Sequence, residues 1–239
     1  MSTIQPPELG VKRQTLPTQV AAVLVRRLAG DSNDGERALL SEPAVCREFA
    51  VSRGVAREAL RILAALDMIT IAQGRPVVLR PATDWDYLDP RLFEWLPAEE
   101  ANGLLRELHE ARLILEPELA ARAAAAIAED ALDRIHASLD LMSTLEDDPD
   151  RYLEADLAFH IEICRAAQNR LLDRIMHSSR WLLIASRKVT NRLPPGLSAA
   201  TRSHSRIFAA LAARDPEGAR QAMRRHLEAG SRAWLGQRR

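Results

Sequence analysis

Apolar positions recur at helical spacing through most of this chain, and the places where that spacing fails divide it into elements. Leu16 to Ala29 carries apolar residues at Val20, Val23, Leu24 and Leu28 and predicts a first helix, ended by the turn-forming run Asp31-Ser32-Asn33-Asp34-Gly35. Ser41 and Glu42 then stand where they can cap a short helix whose apolar positions are Val45 and Phe49. Ala50, Val51 and Ser52 make a tight break, with Ser52 placed to cap the next helix. That helix buries a stripe of Val55, Ala59, Leu60, Ile62 and Leu63, while Arg53, Arg57 and Arg61, four residues apart, share the opposite face. After Asp67 the pattern becomes alternation, and Gln73-Gly74-Arg75-Pro76 predicts a turn between two short apolar strands. Helix, turn, helix and a small hairpin make a winged helix-turn-helix over residues 16–80.

Residues 1–15, polar and containing Pro6-Pro7, are expected to be a flexible arm, and Pro81-Ala82-Thr83-Asp84 points to a linker over 81–85. From 86 to 235 the chain reads as helical, in segments 101–128, 130–146, 150–168, 169–191, 197–213 and 215–234. Asp147-Asp148-Pro149, Leu193-Pro194-Pro195-Gly196 and Asp215-Pro216 are the clearest joints, and Pro117 is expected to kink the first long helix. Six helices with short connections predict an antiparallel bundle. The fold class is therefore mainly α: an N-terminal winged helix-turn-helix followed by an antiparallel all-α bundle.

Formal charge is zero over 239 residues, which alone does not point to nucleic acid. Its distribution does: from Lys12 to Arg80 eleven Lys/Arg face seven Asp/Glu, an excess of four positive charges. Cys46 and Cys164 are far apart in sequence and imply no disulfide framework, which fits a reducing compartment. No apolar run is long enough to span a membrane, and the N-terminus shows no signal-peptide pattern. The expected location is the cytoplasm, with no membrane partner.

Two constellations carry chemistry. A helix entering the major groove needs long cationic donors near its N-terminus, where guanidinium groups reach guanine edges or phosphates, and a glycine-cornered hairpin bearing Arg75 can lie along the backbone or the minor groove. Three arginines on one helix face also occur on ordinary solvated helices; the break, the capping serine and the hairpin move the balance to DNA. In the helical half, Asp156 and His160 lie at i and i+4 on one face, and His204 and His226 fall on the last two helical segments within apolar surroundings. One carboxylate with three neutral imidazoles suits a borderline divalent ion, Zn²⁺ or Ni²⁺ first, with positions left open for another ligand. Taken singly, each histidine is more often hydrogen-bonded or half-exposed than a ligand; His109, His136 and His177 are assigned to that ordinary role. Cys164, one turn beyond His160, reads as core.

Residues 41–79 resemble the DNA-binding domain of GntR-family transcription regulators, through Val51-Ser52-Arg53 and Ala56-Arg57-Glu58-Ala59-Leu60. Leu40 stands where that pattern has proline, and Gly74-Arg75-Pro76 resembles the wing of the FadR branch. The resemblance implies DNA contacts from Arg53, Arg57 and Gly74, with Ser41, Ser52, Arg61, Gln73 and Arg75 alongside them. A further DNA-contacting arginine of that branch falls on Pro43 and is lost, and its wing histidine falls on Gln73. Residues 86–234 are similar to the FCD effector domain of the same branch, through Arg112-Leu113-Ile114-Leu115-Glu116, Asp156-Leu157-Ala158-Phe159-His160, Asn169-Arg170-Leu171-Leu172, His204 and His226. That resemblance implies metal ligation by Asp156, His160, His204 and His226, and an effector carboxylate bridging the ion and Arg112, with Glu116 and Asn169 beside it. Asp84-Trp85-Asp86-Tyr87-Leu88-Asp89-Pro90 and Trp95 are similar to the corresponding segment of galactonate-responsive members, although an aromatic latch that packs the linker explains the side chains equally well.

These readings predict a homodimeric repressor that grips a palindromic operator and is released by a small carboxylic or sugar acid. Three alternatives remain: a regulator for which the metal itself is the signal, which uses the same ligands; a metal-dependent hydrolase built on Asp156 and the histidines; and a fatty-acyl sensor, which shares the wing. The hydrolase leaves the arginine helix without a purpose and has no general base besides Glu116. Fatty-acyl sensors of this branch usually lack the Asp/His set.

Overall fold

The computed structural model describes residues 15–30, 40–72, 74–190 and 196–235, with side chains placed except at 188–190 and 231–235. Gln73 and most of the expected arm lie outside the described residues. Contacts divide the chain into two compact units, the first running through Ala101 and the second from Asn102.

In the first unit α1 (Leu16–Ala29) buries Val20, Ala21, Leu24, Val25 and Leu28 and packs on α3 (Arg53–Ala65). Val23, expected inside, is 37% exposed; Val25 takes the inward place because the 3.6-residue repeat carries 21, 25 and 28 onto one stripe. The helix α2 (Glu42–Phe49) begins at Ser41, whose hydroxyl accepts the Ala44 N–H at 3.3 Å, and ends at Ala50 in the left-handed region (φ 51°). Ser52 caps α3 by accepting the Val55 N–H at 3.4 Å. Ala56, Ala59, Leu60 and Leu63 are buried along α3, with Val55 and Ile62 half-buried beside them. Strands β1 (Ile69–Thr70) and β2 (Val78–Leu79) pair antiparallel, Ile69 opposite Leu79 and Thr70 opposite Val78. The hairpin tip is closed by the Arg75 N–H donating to the Ala72 carbonyl at 3.2 Å, with Gly74 at φ 70°, a conformation that favours glycine.

The expected linker at 81–85 is folded. Residues 82–84 form a 3-10 turn, the Trp85 indole N–H donates to the Arg80 carbonyl at 3.2 Å, and the Asp86 N–H donates to the Leu66 carbonyl at 2.9 Å. The short helix α4 (Pro90–Trp95), capped by Asp89, buries Leu92 and Trp95 and packs on α1. Residues 86–101, expected with the helical domain, thus belong to the first unit, because these aromatic and leucine side chains find their apolar partners there.

The second unit holds α5 (Ala98–Ala126) from Asn102 on, α6 (Glu129–Ser143), α7 (Pro149–Ala166), α8 (Arg170–Ser178), α9 (Arg180–Thr190), α10 (Leu197–Ala212) and α11 (Pro216–Leu235). Pro117 is buried within α5 and does not end it. The segment read as one helix over 169–191 is two: Ser179 terminates α8 and turns its hydroxyl back to the Met176 carbonyl at 3.0 Å. Neighbours pair as α6 with α7 and α10 with α11, and Ile135, Tyr152, Phe159, Ile207, Leu211, Met223 and Leu227 fill the core between them. Among the described residues no helix is long and apolar enough to cross a membrane.

Candidate functional site

The first unit displays the cationic face that the sequence predicts. Arg53, Arg57 and Arg61 are all exposed on α3, and Gly74 and Arg75 are exposed at the hairpin tip. Arg57 is paired with Glu42 of α2 through Nε at 2.8 Å and Nη2 at 3.2 Å, and Arg61 lies 3.5 Å from Glu58. Ser41 and Ser52 are committed as helix caps, so their hydroxyls organise the two helices whose packing presents the arginine row.

The second unit gathers the other predicted set. Asp156, His160, His204 and His226 are all buried, and one ligand atom from each lies within 4.8 Å of the others. Helix α7 supplies Asp156 and His160 one turn apart, α10 supplies His204, and α11 supplies His226. His204 Nε2 is 3.1 Å from Asp156 Oδ1, and His160 Nε2 is 3.3 Å from His204 Nε2. The Phe159 ring stands edge-on to His204 at 5.0 Å between centroids and limits its rotation.

Hydrogen bonds on the far side of each ring settle what faces inward. His160 Nδ1 donates to Glu116 Oε2 at 2.6 Å, and His204 Nδ1 donates to the Ala200 carbonyl at 2.8 Å. As neutral rings, both carry Nε2 lone pairs into the same space, an arrangement that is repulsive unless a cation or donor lies between them. Their 3.3 Å separation is about that of two ~2.0–2.1 Å metal–nitrogen bonds meeting at a tetrahedral angle. His226 Nε2 is buried with no hydrogen-bond partner.

Three further side chains complete the cluster. Glu116 on α5 holds Arg112, one turn earlier, through Nε–Oε1 and through Nη2–Oε2 at 3.4 Å, and both side chains are buried. Arg187 on α9 was not foreseen: 8% exposed, it donates from Nη2 to His160 Nε2 at 2.9 Å. Its Nε abuts Asp156 Oδ2 as an ion pair without the alignment of a hydrogen bond, which leaves both atoms formally unsatisfied. His109 Nε2, one turn before Arg112, is also buried and unpartnered. Asn169 has a different role: its Oδ1 caps α8, accepting the Leu171 and Leu172 N–H groups at 3.1 Å each. Cys164 is core as expected, its thiol pushed up by burial.

The electrostatics follow from this packing. Burial opposes the Asp156 charge, but the Arg187 guanidinium holds its carboxyl well below the usual range. Glu116 is likewise held low, against burial, by Arg112 and His160. Burial pushes His160 down to about 4 despite Glu116, and burial with His204 and His160 nearby pushes His226 well below the ordinary imidazole range. Both rings are thus neutral in the fold near pH 7 but return to about 6.5 when it unfolds. The unfolded chain then binds more protons below about pH 6.5, so this contribution to stability is complete above that pH and is lost progressively toward pH 4. The urea midpoint of chelated protein is expected to fall between pH 7 and pH 5; a flat profile would show that the rings are charged in the fold.

Residues 107–229 match the FCD domain family. The HTH-type transcriptional regulator YcbG of Bacillus subtilis strain 168, itself uncharacterised, is 32% identical over 91% of this chain and 89% of its own length. The galactonate operon transcriptional repressor of Escherichia coli K12 is 28% identical over 77% of this chain and 81% of its own. A GntR protein of Streptococcus agalactiae of known structure shares the fold at a TM-score of 0.51 and 23% identity, over 90% of this chain and 99% of that one. The chain is thus a transcription regulator rather than an enzyme, and it belongs to the GntR family, in the branch whose effector domain is the FCD domain.

Proposed function

We propose that this regulator is a homodimeric repressor that binds a palindromic operator through α3 and the hairpin, and is released by a small carboxylic acid bound at a divalent metal site in the helical unit. The observation that carries the metal reading is the convergence of three buried imidazoles and one buried carboxylate within 4.8 Å, with His226 Nε2 unpartnered. Among the described residues His226 Nε2 and, a turn from Arg112, His109 Nε2 are buried imidazole nitrogens without a hydrogen-bond partner. Such atoms are costly to bury without a partner. Asp156, His160, His204 and His226 would hold the ion, which supplies a Lewis-acidic anchor for an anionic ligand. Zinc and nickel suit three imidazoles and one carboxylate.

The protein's own groups supply the rest. Glu116 fixes the tautomer of His160, and Arg112 offers the guanidinium N–H groups that Glu116 leaves free for a ligand carboxylate. Binding at the junction of α5, α7, α9, α10 and α11 would favour one packing of these helices over another, and so shift the dimer between a state whose two modules match the operator half-sites and one whose modules do not. One relative's name ties it to a galactonate operon, and an aldonic or uronic acid is the corresponding first ligand to test here.

A thermal-shift screen of small carboxylates, run with and without chelator, tests the ligand and the site together. Stabilisation by one acid class that vanishes on chelation is the expected result; no metal-dependent response to any acid would overturn it. On the DNA side, Arg53→Ala and Arg57→Ala are each expected to weaken operator binding about ten- to a hundredfold if they reach base edges. Gel-shift titration at fixed salt measures this, and an unchanged affinity would remove that residue from the interface.

A further inference from the structure

We propose that the effector is a dianion, a small dicarboxylic hydroxy acid whose second carboxylate is taken by Arg187. This rests on the metal-dependent carboxylate reading above and narrows it. The sealed cluster contains two carboxylates, Asp156 and Glu116, two guanidinium groups, Arg112 and Arg187, and three imidazoles, all of them buried. With neutral imidazoles, as ligation requires, those formal charges cancel. A divalent ion therefore raises the pocket to a net charge of two, in surroundings that solvate charge poorly. A monocarboxylate offsets half of this and a dicarboxylate all of it.

The hydrogen bonds assign where the second carboxylate goes. The Nε2 lone pair of His160 is the acceptor for Arg187 Nη2 at 2.9 Å, and it is the same lone pair that a metal ion must take. It cannot serve both, because Nδ1 is already the donor to Glu116. Metal loading thus strips Arg187 of its imidazole acceptor and makes its other neighbour, Asp156, a metal ligand shared with a second cation. A buried guanidinium left with unmatched N–H groups needs an anionic acceptor, and its fork geometry suits a carboxylate taken bidentate. Arg112 is placed differently: Glu116 already satisfies two of its donors and leaves the others for the first carboxylate. His160 stands between the two, with Glu116 on one ring nitrogen and Arg187 at the other, so the arginines serve opposite ends of one ligand.

The test uses full-length protein loaded with zinc, its zinc content measured, and calorimetric titration with two matched pairs of acids: lactate against malate, and galactonate against galactarate. Each dicarboxylate is expected to bind at least about tenfold more tightly than its monocarboxylate partner. In Arg187→Gln the difference should shrink to threefold or less while the zinc content stays as in wild type; Arg187→Lys, which keeps the charge, should retain most of the preference even if the glutamine variant folds poorly. Equal affinities for both members of each pair in the wild type overturn the assignment to a dianion and leave the metal-dependent reading standing. A preference that survives in Arg187→Gln at full zinc content overturns the role of Arg187. Wild-type protein that takes up no zinc, nickel or cobalt removes the metal reading and this inference with it.

Discussion

Replacing Asp156 with alanine is expected to destabilise the metal-free protein by about 3–5 kcal/mol, the cost of leaving a buried guanidinium without its counter-charge. Arg187 is 8% exposed, and its acceptors are His160 Nε2 and the Asp156 carboxylate; with the carboxylate gone, a neutral imidazole alone faces a full positive charge. For a protein of this size the loss corresponds to a fall in Tm of roughly 10 °C or more. The double variant Asp156→Ala with Arg187→Met should recover most of it, because removing both charges leaves no unpaired ion and methionine fills the space. Thermal unfolding of the wild type, both single variants and the double variant in chelator measures the coupling. Additive effects would mean that Arg187 and Asp156 do not depend on one another, and the cluster described above would be wrong at its centre.

The front of the molecule was legible residue by residue because its signals are local. Ser41 and Ser52 announce helix starts by capping chemistry, the spacing of Arg53, Arg57 and Arg61 places them on one face, and Gly74 marks the hairpin corner; all recur in the structure. The metal set was legible for another reason. The Asp156–His160 spacing is a within-helix fact, while His204 and His226 were joined to it by their place in apolar helical stretches and, more specifically, by resemblance to the FCD pattern, and the fold brings all four within 4.8 Å. What stayed hidden depends on packing between helices. Arg187 sits among Arg170, Arg174, Arg180 and Arg192 in a stretch rich in arginine, and no periodicity distinguishes the one that turns inward. The break at Ser179 carries no proline or glycine, and the pattern on either side is helical. Asn169 was assigned to the effector on a motif that its geometry also explains as a cap.

The front and back ends hold their cations in opposite ways. Arg57 is exposed and pairs with Glu42, a bond that water and salt weaken and that a DNA phosphate or guanine edge can replace at little cost. Arg112 and Arg187 are sealed inside, where exchange of a partner is expensive unless another anion arrives at once. The exposed row suits rapid, salt-sensitive association with a polyanion. The buried pair suits a ligand that brings its own negative charge to replace the partner it displaces.

Removing the divalent ion is expected to have an effect as large as that of the Asp156 variant. An ion that binds the folded state alone contributes RT ln(1 + [M]/Kd), about 4 kcal/mol when it is present at a thousand times its Kd. Zinc-loaded protein should therefore melt roughly 10 °C above the same protein in chelator. The decisive control is His226→Leu. Among the described residues His226 Nε2 has no partner, so an apolar side chain of similar bulk removes an orphaned nitrogen and should leave the chelated protein as stable as wild type, or more so. The same change deletes one of the four ligands, so the zinc-dependent rise in Tm should collapse. Stability in chelator and response to zinc thus move in different directions, which a general loss of packing cannot reproduce. A zinc response that is absent in the wild type, or that persists undiminished in His226→Leu, would place the ion elsewhere or nowhere, and the converging imidazoles would need another explanation.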